Sequence, residues 1–200
     1  MPPGPNAPLT LDDIADARAY ERERQSYRDR VIALKRVRRV TVGPIISMVF
    51  ENRDTIRFQI QEMARAEKLY TDEAIKVELD TYNPLIPEKG HLSSTMFLEL
   101  TTRAEMEHWL PRLVGIEQTA KLLLAGGDSV LATVEGAHAA QLTRDEITAS
   151  VHYLNFSFND EQIEVFRSGD VWLALDHPEY RHQVLLEEPT KQSLVEDLLG

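Results

Sequence analysis

Polar side chains crowd one stretch of this chain more densely than solubility requires. Between Phe50 and Tyr82 it reads FENRDTIRFQIQEMARAEKLYTDEAIKVELDTY, with Glu51, Asn52, Arg53 and Asp54 in succession. Gln59, Gln61, Glu62, Arg65 and Glu67 follow within about four helical turns. Carboxylates, amides and guanidinium groups at that density supply the donors, acceptors and tunable acids that a binding or acid–base site is built from. On a helix Gln61, Glu62 and Arg65 share a side, as do Asp54, Arg57 and Gln61, so charges and amides would form a ladder facing one way. Buried, such a ladder must be paired throughout and becomes a preorganised polar site; exposed, it is the charged face of an ordinary helix. Glu51, Asn52, Arg53, Asp54, Gln59, Glu62 and Arg65 are the candidate binding residues. No catalytic residue is singled out, although Asp54, Glu62 and Asp80 are carboxylates that could serve as acid or base.

Other chemistry has thinner support. Glu105-x-x-His108 and Glu135-x-x-His138 have the spacing of the Glu-x-x-His pairs that hold di-iron centres in four-helix bundles, but the strand content argues against a bundle. His177 and His182 flank a turn with Asp176 and Glu179 and lack a third ligand, His152 shares a strand face with Leu154 and Phe156 and reads as a satisfied, partly buried histidine, and His91 has no partner in the pattern, so no metal site is assigned. There is no glycine-rich phosphate loop, no G-x-S-x-G and no H-E-x-x-H.

The elements that must position the polar stretch follow from periodicity. Thr10, with Asp12 and Asp13 in a first turn, predicts a long N-terminal helix to about Leu34. VRRVTVGPIISMVF predicts two strands, or one bent strand, around Gly43-Pro44. Thr55 to Met63 fits a strand by the alternation of Ile56, Phe58 and Ile60 and a helix by its length and composition; helix is the better reading. Further helices are predicted over Thr71–Tyr82, after the Thr102/Glu105 capping box, before Gly169 and from Thr190 to Leu199. Strands are predicted over Leu92–Leu100, either side of Gly126-Gly127-Asp128, over Val151–Phe158 and around the Asp176–Tyr180 turn. The expected fold is α+β, an antiparallel or mixed sheet with helices mostly on one face. Residues 1–9 form a loose proline-rich tail and residues 10–200 one domain, with sub-lobes at 10–118 and 119–200 as an alternative.

Composition narrows the function classes. A 200-residue chain with 42% hydrophobic residues can bury a sizeable core. Its net charge of -11 opposes binding to polyanions and to anionic membrane surfaces. The one locally basic stretch lies between Arg18 and Arg39, and Arg28 to Arg39 would be the contact in a nucleic-acid reading. The absence of cysteine excludes disulfides and thiolate chemistry and fits a reducing cytoplasm. Neither a signal peptide nor a membrane span is expected, since no apolar run approaches the roughly 20 residues a bilayer needs.

Taken together, RVIALKRVRRVTVGP, FENRDTIRFQIQEMARAEK, ELDTYNPLIP, VHYLNFSF and LALDHPEYR resemble an uncharacterised bacterial family, a domain of unknown function, from about Asp12 onward. Members are often encoded beside rubrerythrin-like and iron–sulfur oxidoreductase proteins. The resemblance therefore implies a supporting role in redox or peroxide defence and a redox protein as partner, and it carries no catalytic residues or cofactor. The expected function is a non-catalytic accessory or interaction protein. The alternatives are an enzyme or small-ligand binder using Glu51 to Glu67, and a nucleic-acid binder.

Overall fold

The structure, a computed structural model, describes residues 4–134 and 147–200. Helix formation begins later than the sequence implies. Asp13 accepts from the Thr10 amide at 2.8 Å and from the Thr10 hydroxyl at 3.0 Å, but the turn so closed is only a 3-10 turn over Leu11–Asp13, and Ile14 is already extended. The cause is non-local. The Gln61 carboxamide accepts from the Ala15 amide at 2.7 Å and donates to the Ala15 carbonyl at 3.2 Å, holding that residue as a neighbouring strand would. Asp16 then caps α1 (Ala17–Arg38), accepting from the amides of Arg18 and Ala19.

The chain before this break corrects the expectation of a loose tail. Asn83 pairs with both backbone groups of Leu9, at 2.8 and 2.9 Å, and the Leu9 side chain is buried. Arg53 donates to the Ala7 carbonyl at 3.0 Å and Asn6 to the Asp197 carbonyl at 3.0 Å. Residues 6–15 are thus a strap across the molecule. Leu9, Leu11 and Ile14 cover Ile56, Ile60, Leu79 and Leu85.

After α1 come β1 (Arg39–Val42) and β2 (Ile46–Glu51), joined through Gly43. Gly43 has φ +70°, and a Cβ there would lie 2.5 Å from the Tyr180 hydroxyl, so glycine is required on two grounds. That hydroxyl donates to the Val42 carbonyl at 2.7 Å and accepts from the Ile45 amide at 3.1 Å. The polar stretch becomes α2 (Arg53–Glu67), capped reciprocally by Asn52 and Thr55, with Ile56, Ile60 and Ala64 buried at four-residue spacing. The helical reading of Thr55–Met63 is the observed one. Capped by Thr71, α3 (Asp72–Tyr82) stops ahead of Pro84, and α4 (Arg103–Trp109) ends before Pro111.

The remaining strands are β3 (His91–Leu98), β4 (Ala120–Leu124), β5 (Ser129–Leu131), β6 (Thr133–Val134), β7 (Val151–Ser157), β8 (Val171–His177) and β9 (Tyr180–Leu185). They build two antiparallel sheets, β1-β2-β3-β7-β6 and β5-β4-β8-β9. Alternation places Met48, Met96, Leu154 and Phe156 of the first sheet in one core with Leu122, Leu173 and Leu175 of the second. Into the same core α5 (Asp160–Ser168) contributes Phe166, and α6 (Glu188–Leu199) contributes Leu194 and Leu198. The fold is α+β with a long N-terminal helix. A division at residues 118/119 does not describe the core, because β6 and β7 complete the sheet that β1, β2 and β3 begin.

Arg38, almost wholly buried, locks three elements together. It donates to the carbonyls of Phe50 at 2.7 Å and Glu51 at 3.1 Å, to Ser193 Oγ at 2.8 Å, and to the Asp197 carboxylate. A buried guanidinium is tolerable only with its donors satisfied in this way. Among the described residues no helix is long and apolar enough to cross a membrane.

Candidate functional site

The seven candidate residues do not converge on one point. Arg53 and Arg65 lie about 18 Å apart along α2 at the usual helical rise. Glu51 sits apart at the end of β2, buried, with Oε1 accepting from Thr95 Oγ1 at 2.8 Å and Oε2 3.8 Å from Lys35 Nζ. Oε2 makes no hydrogen bond. Asn52 is spent on the α2 cap, and Asp54 is exposed in the first turn. Gln59 is half-buried without a side-chain hydrogen bond to another described residue.

The rest form a seam against α1 and the strap. Arg53 binds Asp13 at 2.6 Å, and Arg57 donates to the Asp13 carbonyl at 2.6 Å. Burial acts to raise the Asp13 carboxyl, but hydrogen bonds from Arg53 and Thr10 outweigh it and hold the group below its ordinary value. Glu62 receives Arg24 Nε at 2.8 Å, Arg24 Nη2 at 2.7 Å and the Tyr20 hydroxyl at 2.7 Å. The Arg24 hydrogen bonds hold the Glu62 carboxyl below its usual range, while burial and this same carboxylate raise the Tyr20 phenol. Arg65 meets Glu21 at 2.9 Å on the surface. The ladder is therefore mostly a structural seam, paired rung by rung.

Where the seam ends, the surfaces part. Between the strap, the start of α1, the end of α2 and the loop to α3 lies a cleft of about 660 Å³. Leu11, Ile14, Ala64, Leu69 and Ile75 give it apolar walls; Arg18, Arg65 and Lys68 are the cations along it, and exposed Tyr70 also lines it. Gln61 and Arg65 belong both to the polar stretch and to the cleft. Asp16, Glu21 and Asp72 are the acids that line it, the first committed to the α1 cap and the second to Arg65. Sequence reasoning overlooked Lys68, Leu69 and Tyr70. Their signal was the KLY step that separates two helices between Glu67 and Thr71.

A family model described as protein of unknown function DUF3501 matches residues 8–198. The chain belongs to the DUF3501 family. Among curated proteins none matches. A crystal structure of a novel protein of unknown function from Burkholderia pseudomallei K96243 is similar to it at 33% identity and TM-score 0.88, over 96% of this chain and 100% of that one.

In this DUF3501 chain the histidine pairs weighed as ligands have other occupations. Glu105 accepts from the amides and hydroxyls of Thr101 and Thr102 as a helix cap, and His108 packs edge-on to Trp109. His177 Nε2 lies 3.1 Å from the Val114 carbonyl, and the His182 ring packs on Tyr180. Glu135 and His138 lie outside the described residues. Among the described residues no three His, Asp or Glu side chains are grouped to hold a metal. The arrangement at this end of the DUF3501 chain is a partly apolar cleft edged by charged side chains and braced by a paired polar seam.

Proposed function

We propose that the protein is a non-catalytic accessory protein that holds a small ligand in the cleft between the strap, α1 and α2. The cleft itself carries this reading. Its volume of about 660 Å³ is within the span of small-molecule sites, and its walls combine apolar side chains with a few charged groups. The carboxylates of the seam support the non-catalytic part. A general base at neutral pH is favoured by a raised pKa, and the Arg24 hydrogen bonds hold the Glu62 carboxyl below its ordinary value. The cytoplasmic redox or peroxide-defence setting, with a redox protein as partner, follows the family resemblance. In this proposal Arg22, Arg28 and Arg36, exposed on α1, meet an acidic partner. The nucleic-acid alternative is weaker, because Arg38 and Arg39 of its basic stretch are engaged with Asp197 and Glu99.

One observation favours the enzyme alternative: the buried Glu51 oxygen that makes no hydrogen bond, next to Lys35. Two measurements on the pure protein separate the readings. Anilinonaphthalene sulfonate should bind with one-to-one stoichiometry and enhanced fluorescence, Ala64→Phe should remove that binding while the protein still melts cooperatively, and hydrogen peroxide should persist. Consumption of peroxide at enzymatic rates, lost in Glu51→Gln, would move the function to Glu51. Dye binding unaffected by Ala64→Phe would take the ligand out of the cleft.

A further inference from the structure

Building on the cleft as a ligand site, we infer that its ligand is an anionic amphiphile, an alkyl chain ending in a carboxylate or similar anion. The head lies between Arg18 and Lys68 and the chain runs along Leu11, Ile14, Leu69 and Ile75.

Three cations and three carboxylates line the cleft, and two of the cations make no ion pair with a described residue. Arg65 is paired with Glu21, Asp16 is used by the amides of Arg18 and Ala19, and Asp72 lies in the first turn of α3, where the helix dipole favours it. Arg18 and Lys68 have no ion partner among the described residues. Arg18 is moreover in the first turn of α1, the end of a helix where a cation is disfavoured. A single anionic head placed between them would accept hydrogen bonds from both side chains.

Lys68 adds an independent mark. It is the one non-glycine residue with positive φ among the described residues, at +58°, in the left-handed cap that ends α2. Glycine takes that conformation without steric cost, so a lysine there gives up stability for its side chain. Strain of this kind gathers where a side chain has a task. The inner wall fits the other half of the ligand. Both ends of the Gln61 carboxamide are engaged by Ala15, and the Tyr20 hydroxyl is engaged by Glu62, so these wall groups are already paired and the chain lies against Leu11, Ile14, Leu69 and Ile75. An alkyl tail needs no polar partner there.

Isothermal titration of the full chain with decanoate, decanol and decylamine isolates the head group at constant tail. Decanoate should bind about tenfold tighter than decanol, the gain expected of two partly exposed ion pairs, and decylamine weaker than either. Arg18→Gln and Lys68→Gly should each bring decanoate toward decanol and leave decanol unchanged, with Lys68→Gly melting no lower than wild type. Equal affinity for decanol or decylamine, or decanoate affinity untouched by both substitutions, overturns the anionic head. If none of the three binds, the cleft reading falls as well. Co-sedimentation with phosphatidylglycerol vesicles separates a lipid source from a free acid. Sedimentation abolished by both substitutions supports the same chemistry with lipid as the donor, whereas sedimentation that survives them contradicts it.

Discussion

Glu62 shows how a residue chosen for its chemistry turns out to hold the fold. Its carboxylate accepts three hydrogen bonds from α1, two from Arg24 and one from Tyr20, and is half-buried between the helices. Replacing it by glutamine keeps the shape and removes the charge, which should cost about 1–2 kcal/mol at pH 7. The sign of the pH dependence follows from the direction of the shift. Arg24 holds the folded-state pKa below the ordinary 4.5, so the stabilisation is complete above that value and is lost as pH falls through the lowered one. Urea midpoints of wild type and Glu62→Gln should therefore differ at pH 7 and converge in acid. A gap that stays constant down to pH 3 would mean that the charge contributes nothing. The candidate list was legible at this scale in residue type but not in role, since whether a carboxylate is paired depends on a helix 38 positions away in sequence.

Elements were legible where the pattern is local. The α2 cap, the β3 alternation, the Gly126-Gly127 turn and the Pro84 stop are all written within a few residues of where they act. The strap was not, because its order comes from Asn83 and Gln61, 74 and 46 positions away. Proline content and the lack of an apolar run suggested a tail; two amide side chains acting as substitute strands override that. Asn83→Ala removes both hydrogen bonds to Leu9 and should cost about 1–3 kcal/mol locally. Native-state hydrogen exchange should then show the Leu9 and Ala15 amides exchanging about tenfold faster or more, with the β3 amides unchanged. A uniform acceleration would place Asn83 in the global unfolding unit instead of in a separable strap.

At the scale of the whole molecule, the two sheets and the helices packed on them form the scaffold, and the strap, the start of α1 and the end of α2 border the cleft. The sheets share one core, and Tyr180 and Arg38 tie turns and helices to it with bonds that leave little freedom. The cleft is bounded instead by a helix start, a helix end and a loop, elements whose local opening is less costly than that of a sheet. Pairing between elements distant in the chain creates that cleft, and for this reason periodicity alone could not show it. The central claim is its occupancy. Crystals soaked in 10-bromodecanoate and measured at the bromine edge test it most directly: one anomalous peak per chain between Leu11 and Ile75 is the predicted result, and a peak elsewhere on the molecule, or none at saturating ligand, would contradict the account.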